Sequence, residues 1–372
     1  MTENLKATLD RALPWSFLFL FLVLVPLFDV AGWMSPETIN QWGRFGCFAI
    51  AALGLDLLWG YTGLLGLCQS FFFTLGAYAM GMYLAMHGPL DGPGIPRCLY
   101  VVSSDVSGFN LPWFWKPFGS FPVAVLLGLL LPGLAAFIIG YSTFRSRVRG
   151  VYFSILTQAI TLGGWLVFCR NSIRLCGTNG LTNFVTLAGF DLSKGSVQLG
   201  LYMATVVVLA LAYVGCRWLV GSRLGRVLLA IRDKESRLRF SGYRPTSYKV
   251  FIFVVAAMLA GLGGMLYTPQ MGIMTPTHMT VESSILMVVW VAVGGRGTLS
   301  GAILGALLVN SLYSFLTTRW PHSWLFVEGG LFISVVLFFP EGLMSLWRKW
   351  MVRKEVDLSV PVELAPAAEP KE

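Results

Sequence analysis

The chain has 372 residues, of which 56% are hydrophobic and only 12% are charged, and its formal net charge is +9. A soluble domain carries about twice that charged fraction, so the composition excludes an ordinary soluble protein and indicates an all-α polytopic membrane protein. The positive charge lies between apolar runs, which is typical of basic cytoplasmic loops and argues against nucleic-acid binding.

Apolar windows predict about ten membrane-spanning helices, within a range of eight to ten, because each span needs about 20 mainly apolar residues. The predicted spans are 15–33, 45–60, 67–86, 120–141, 151–168, 197–219, 250–268, 281–294, 299–317 and 325–343. The run at 15–33 has no small-x-small cleavage site after it, so we interpret it as an uncleaved first span. Two windows, 45–60 and 281–294, are short for a full span.

The distribution of Lys and Arg predicts that both termini are cytoplasmic. Most of the 27 basic residues fall in segments that are cytoplasmic in that orientation, and the largest group lies between Arg217 and Lys249. We therefore expect a cytoplasmic N-terminus at 1–14, one transmembrane domain at 15–350 and a disordered cytoplasmic tail at 351–372. Arg44 is assigned here to an outer segment.

Six cysteines occur without CxxC spacing. Cys169 and Cys176 fall in one predicted outer loop, so a disulfide between them is one alternative, but unpaired buried thiols are the favoured interpretation.

The sequence carries no recognisable catalytic, nucleotide-binding or metal-binding motif. It contains neither a G-x-x-x-x-G-K-[ST] phosphate loop nor an HExxH motif, and its three histidines are scattered. We expect no metal site, no cofactor and no enzymatic activity.

Polar residues inside apolar runs are candidates for a solute path because they are costly in a membrane. Asp56 is the clearest, near a glycine-rich interruption from Gly60 to Gly66. The interruption is either a tight inner turn or a broken helix that lines a cavity. The candidate path residues are Asp56, Tyr61, Thr62, Gln69 and Asn310; for each amide, helix–helix hydrogen bonding is the simpler alternative.

The stretch "LLAIRDKESRLRFSGY" at 228–243 concentrates charge in an otherwise apolar chain. Apolar residues around it recur at spacings of three and four, which predicts a short amphipathic helix on the cytoplasmic side, within a loop at 220–249. Three uses stay open at this point: a loop that only sets topology, a helix lying on anionic lipid, or a helix that docks into a partner protein.

Three segments resemble permease subunits of branched-chain amino-acid importers of the ATP-binding-cassette (ABC) class. They are "SRLGRVLLAIRDKESRLRFSGYRPTSYKVFIFVVAAMLAGLGGMLY" (222–267), "GLDLLWGYTGLLGLCQSFFFTLGAYAMGMYL" (54–84) and "GGRGTLSGAILGALLVN" (294–310), the last followed by "FFPEGL" (338–343). They occur in the family's order and span nearly the whole chain.

The resemblance implies that the charged helix inserts into a groove on a separate ATPase subunit. The residues it assigns to this coupling are Gly225, Arg226, Ala230, Ile231, Arg232, Asp233, Glu235, Arg239 and Gly242. It further implies a second permease subunit, two ABC ATPase subunits, an extracytoplasmic solute-binding protein and a place in the bacterial cytoplasmic (inner) membrane. Arg226 has an alternative role as an anchor to lipid phosphate.

Within that family the chain is most similar to the urea-importer branch, where it corresponds to the second permease subunit. "ALGLDLLWGYTGLLGLCQSFFFTLGAYAMGMYLAMHG" (52–88) and "VYFSILTQAITLGG" (151–164) carry this likeness. Urea is uncharged and offers N–H donors and one carbonyl acceptor, so its path needs polar partners but no pair of opposite charges. The first alternative is the same machine carrying branched-chain amino acids; an ATP-independent channel or secondary transporter is a weaker one, and a membrane enzyme the weakest.

Overall fold

The computed structural model describes residues 36–91, 95–102, 111–146, 148, 150–320, 326, 327, 329, 330, 333 and 342–344. The described helices are α1 (Pro36–Thr62), α2 (Gln69–Met86), α3 (Arg97–Val102), α4 (Phe121–Arg145), α5 (Val151–Phe168), α6 (Gly195–Gly221), α7 (Arg223–Phe240), α8 (Pro245–Met271), α9 (Val281–Gly294) and α10 (Leu299–Arg319). Two small antiparallel hairpins pair β1 (Leu90–Asp91) with β2 (Ile95–Pro96), and β3 (Thr186–Leu187) with β4 (Phe190–Asp191).

Six of the described helices are long and apolar enough to cross a membrane: α1, α4, α5, α6, α8 and α10. Helix α9 is apolar but shorter, as its window predicts. The predicted total of about ten spans is not confirmed. The windows at 15–33 and most of 325–343 lie outside the described residues, as do the predicted segments 1–14 and 351–372.

Helix α8 lies at the centre of the bundle and packs against α1, α2 and α4. Helix α1 also packs on α6 and α10, and α10 packs on α9. In the most apolar 18-residue window of α1, 83% of the residues are buried, whereas in that of α5 only 17% are. Helix α5 therefore presents most of its apolar surface outward, as a helix that faces lipid or another subunit does.

Glycines let the central helices approach closely. A Cβ added at Gly261 would meet the ring of Pro132 in α4, and one added at Gly264 would meet the backbone of Phe73 in α2. Gly305 in α10 lies equally close to the backbone of α9 at Trp290. Small residues are what allow membrane helices to touch backbone to backbone in this way.

Helix α1 is longer than its predicted window. It begins at Pro36, so Arg44, which was assigned to an outer segment preceding the span, instead lies inside the helix. The window missed this first part because Asn40, Gln41 and Arg44 lower its mean hydropathy.

The interruption between α1 and α2 is a turn whose backbone is bound by α5. Ser154 and Thr161 donate to the carbonyls of Leu65 (2.8 Å) and Leu67 (2.9 Å), and the N–H of Leu67 donates to Thr157 at 3.0 Å. The three hydroxyl residues lie on one face of α5. Because unpaired backbone groups are costly in a membrane, this row of hydroxyls explains how the turn is tolerated.

The disulfide alternative named the wrong pair. Cys176 is bonded to Cys98, with Cα atoms 5.5 Å apart, and Cys169 is a free thiol. The bond joins the two longest loops, which also meet through the indole N–H of Trp115 donating to the carbonyl of Arg174 (3.1 Å).

The segments that were predicted to be cytoplasmic gather at one end of the bundle. Lys249 at the start of α8 lies 5.9 Å from the ring of Phe144 at the end of α4, and Arg232 of α7 reaches the last turn of α1. The disulfide and the hairpins lie at the other end, where residue 181 bridges to residue 274 after α8. This grouping agrees with the predicted orientation, which itself stays a prediction.

Candidate functional site

The predicted amphipathic helix is α7, which lies within the predicted loop at 220–249. Ser222 caps its start by accepting a hydrogen bond from the N–H of Leu224 at 3.2 Å. Leu228 and Ile231 are buried, which confirms the predicted apolar face. Gly225 has no room for a side chain, because a Cβ there would meet the backbone of Val220.

Helix α7 is kinked at Lys234, whose backbone is non-helical (φ −150°, ψ 81°). The kink turns the second half of the helix so that Glu235 meets the start of α8. The carboxylate of Glu235 accepts from Lys249 Nζ at 2.9 Å and from Arg239 Nη2 at 2.6 Å. Only 7% of the Lys249 side chain and 15% of the Glu235 side chain are exposed, so this ion pair is largely removed from water.

The first half of α7 contacts the C-terminal end of α1. Arg232 Nη1 donates to the carbonyl of Gly60 at 2.9 Å. Arg296, in the turn between α9 and α10, donates to the carbonyl of Trp59 at 3.1 and 3.2 Å, and its guanidinium lies over the Trp59 ring at 4.9 Å. Carbonyls at a helix C-terminus have no partner inside the helix and favour cations. The pKa of Arg296 is lowered by partial burial and by Arg232 nearby.

Asp56 joins the same cluster from inside the bundle. Its side chain is fully buried, and its Oδ1 accepts from the N–H of Gly297 at 2.7 Å. Oδ2 has no hydrogen-bond partner among the described residues. Gly60 is required at this point, because a Cβ there would lie 2.6 Å from the backbone nitrogen of Gly297. The turn at 295–298 is therefore fastened to α1 by both Asp56 and Arg296.

The predicted coupling residues divide into two groups. Arg226, Asp233 and Gly242 are exposed and available to a partner, whereas Glu235 and Arg239 bind each other and the start of α8. Gly225 and Ile231 are buried on the face of α7 that packs on the bundle, Ala230 is half-buried, and Arg232 binds both Gly60 and Asp233. These residues, with Glu235 and Arg239, hold α7 in place. Direct contact of either group with an ATPase stays a prediction.

The predicted path residues do not form one site. Thr62 donates to the carbonyl of Leu58 in its own helix, and Tyr61 lies half-buried beside it. Gln69 donates to the carbonyl of Ala256 at 2.9 Å, which is the helix–helix contact that the simpler alternative predicted. Asn310 lies apart from these, towards the other end of the bundle.

Asn310 lines a cavity of about 460 Å³ between α1, α2, α8, α9 and α10. We call it the aromatic cavity after its six rings: Phe45, Phe48, Phe73, Tyr267, Trp290 and Tyr313. Polar groups on its wall are Gln41, Arg44, His278, Ser283, Asn310, Ser314 and Thr317. No Asp or Glu is on the described wall of the cavity.

The ring of Phe48 is central to the wall. It lies 4.9 Å from the ring of Trp290 and 5.1 Å from that of Tyr267, tilted by 38° and 35°. The imidazole of His278 lies 5.5 Å from the ring of Tyr267, measured between ring centroids. Burial lowers the pKa of this imidazole. Arg44 is the only Lys or Arg on the described wall of the aromatic cavity.

The aromatic cavity was missed by sequence reasoning, except for Asn310. Its wall is assembled from five helices, so no local pattern marks it. The one available signal was Arg44 within an apolar segment, since charged residues in spans are functional candidates by default. Arg44 and Asp56 lie on the same helix about 18 Å apart along its axis, which separates the aromatic cavity from the cluster at α7.

Residues 38–336 match the family model described as the branched-chain amino acid transport system / permease component. The chain belongs to this family. Among relatives of the permease, the high-affinity branched-chain amino acid transport system permease protein LivM of Escherichia coli is 25% identical over an alignment of 354 residues, which covers 88% of this chain and 75% of LivM. The probable LivM permease of Methanocaldococcus jannaschii is 22% identical over 81% of this chain and 91% of its own length.

A sugar permease also matches. The ribose import permease protein RbsC of Haemophilus influenzae is 24% identical over 52% of this chain and 59% of its own length. No solved structure matches the permease. Within the described residues, no group of three or more His, Cys, Asp or Glu could hold a metal ion.

Proposed function

We propose that this permease is the second membrane subunit of an ATP-driven importer and forms half of the path for urea. The observation that carries the first part is α7, a helix with an exposed charged surface held against the membrane domain of a chain without a phosphate loop. The relatives are named as permeases of import systems, which supports a separate energy source.

Coupling would work through the residues that fix α7. An ATPase that moves α7 pulls on the end of α1 through Arg232 and on the start of α8 through Glu235 and Lys249. The turn at 295–298 moves with α1 because Asp56 and Arg296 bind across to it. Helices α1 and α8 and the turn between α9 and α10 would thus respond to one cytoplasmic contact.

The charge of the aromatic cavity supports urea as the solute. An amino acid carries an ammonium group that needs an anionic partner when it is desolvated, and the described wall offers none. Urea instead needs donors for its carbonyl and acceptors for its N–H groups, which Arg44, Asn310 and the hydroxyl residues can supply. The resemblance of 54–84 to the urea-importer branch points the same way.

A branched-chain amino acid is the second candidate. The matched family and the LivM relatives carry that substrate in their printed names, and Leu286 and Met287 add aliphatic surface to the wall of the aromatic cavity. The apolar lining fits a branched side chain. The wall, however, offers no carboxylate for the ammonium group of a zwitterionic amino acid.

The complete importer would contain this chain, a second permease subunit, two ATPase subunits and an extracytoplasmic solute-binding protein in the bacterial inner membrane. The test is ATP hydrolysis by the reconstituted complex in the presence of its binding protein, with urea or leucine as the solute. We expect urea to stimulate hydrolysis and leucine to leave it at the basal rate. Stimulation by leucine alone would replace urea with the second candidate.

A further inference from the structure

We propose that Arg44 binds the carbonyl oxygen of the solute in the aromatic cavity and excludes cations of the same shape. The solute class that follows is small, planar and neutral amides. This inference rests on the proposed function, since it names the residue that would recognise urea on the way through the membrane domain.

Arg44 has only a weak hydrogen-bond acceptor among the described residues. Its Nη1 donates to the sulfur of Met271 at 3.0 Å, and its Nε is buried without a hydrogen-bond partner among the described residues. A thioether is a weak acceptor, and a guanidinium carries five N–H donors in a fixed planar fork. The strongest donor of the aromatic cavity is thus bound to a weak acceptor only.

Other arginines of the bundle differ from Arg44 because they bind oxygen acceptors. Arg232 and Arg296 bind backbone carbonyls, and Arg239 binds a carboxylate. Those interactions explain their positions structurally. Arg44 has no such oxygen acceptor in the described part of the chain although it lies in α1, a helix long and apolar enough to cross a membrane, where a charge is costly and is a candidate for a solute path.

The rest of the wall complements a planar amide. The amide nitrogen of Asn310 donates to the carbonyl of Ala306 at 2.7 Å, which leaves its side-chain oxygen as an acceptor for a solute N–H group. The rings of Phe48, Tyr267 and Trp290 supply flat apolar surface. A carbonyl donor, an N–H acceptor and ring faces are the three elements that such a solute requires.

Guanidinium is the sharpest probe of this arrangement. It has the planar shape and N–H groups of urea, but it carries a positive charge and lacks the carbonyl. With Arg44 present and no carboxylate on the described wall, guanidinium meets a like charge without a compensating anion. We therefore expect the wild-type permease to admit urea and to reject guanidinium.

The experiment measures uptake of labelled urea by proteoliposomes that contain the full importer and its binding protein, with and without guanidinium. Arg44→Gln removes the charge and the fork, and we expect urea uptake to fall about tenfold or more, the loss typical of a hydrogen bond to a charged group. Guanidinium should then enter or compete. Arg44→Lys should keep the exclusion of guanidinium but recover urea uptake only partly, because a lysine lacks the planar fork.

Arg319→Gln is the matched control. It removes one positive charge at the exposed end of α10, outside the wall of the aromatic cavity, and should behave as wild type. Entry of guanidinium is a gain that a misfolded variant cannot give. If Arg44→Gln takes up urea at the wild-type rate and still excludes guanidinium, the role of Arg44 is overturned while the proposed function stands. If the wild-type complex transports leucine and not urea, the proposed solute and this inference fall together.

Discussion

The Glu235–Lys249 ion pair offers a quantitative test of how α7 is held. Glu235→Gln removes the negative charge but keeps the shape of the side chain, so the ammonium group of Lys249 stays buried without a counter-charge. Removing one partner of a buried pair costs about 3–5 kcal/mol. Because 15% of the Glu235 side chain is still exposed, we expect the lower end, about 3 kcal/mol.

The assay is thermal unfolding of the purified complex in detergent, followed by ATP-driven uptake in proteoliposomes. A loss of about 3 kcal/mol corresponds to a decrease in melting temperature of about 5–10 °C. Uptake should fall further than ATP hydrolysis, since a loosened α7 would transmit less of the ATPase movement.

Two variants make the reasoning refutable. In the double variant Glu235→Gln with Lys249→Met neither charge remains, and replacing both partners of a buried pair is often nearly neutral. We expect its melting temperature to return most of the way to the wild-type value. Arg237→Gln, on the exposed face of α7, should change nothing. A single variant as stable as wild type, or a double variant less stable than the single one, would refute the account of α7.

Three further predictions concern other parts of the chain. Asp233→Lys reverses an exposed charge of α7 and should abolish ATP-driven uptake while membrane insertion stays normal; wild-type uptake would remove Asp233 from the docking surface. Asp56→Asn keeps an acceptor for its backbone donor but loses the charge, so uptake per assembled complex should fall severalfold, and unchanged uptake would make Asp56 purely structural. In Cys98→Ser, a thiol reagent should label Cys176 in the unfolded chain without prior reduction, because its disulfide partner is gone. A Cys176 that still needs reduction, because it is bonded to Cys169, would contradict the observed pairing.

Much of α7 could be predicted from the sequence, because its features are local. The spacing of Leu228 and Ile231 gives the buried face, and Ser222 marks the start of the helix. The same holds for the hydroxyl row of α5. Ser154, Thr157 and Thr161 follow helical spacing in an apolar run, so their shared face could have been recognised although their backbone partners could not.

The remaining features depend on residues distant in sequence. Cys98 and Cys176 are separated by 78 positions, and only the folded loops show that they meet. The aromatic cavity is built from five helices, so no local pattern marks it. Asn310 was a candidate because it lies inside the predicted span 299–317, whereas Arg44 lies just outside the window 45–60. Hydropathy windows also exclude polar residues by design, so they removed from α1 the turn that carries Arg44.

The two halves of α1 have different proposed roles. Its cytoplasmic end, as the distribution of Lys and Arg predicts it, is bound by Arg232 and by the turn at 295–298. Its other half lines the aromatic cavity through Arg44 and Phe48. One helix thus connects the surface proposed to receive mechanical force with the site proposed to bind the solute.

The nucleotide dependence of urea accumulation tests the central claim most directly. Proteoliposomes that hold this chain with its permease partner, ATPases and binding protein should concentrate labelled urea above the outside level only when ATP is supplied to the ATPases, and liposomes with this chain alone should not concentrate it. Accumulation of urea against its gradient by the chain alone, without nucleotide, would contradict the claim.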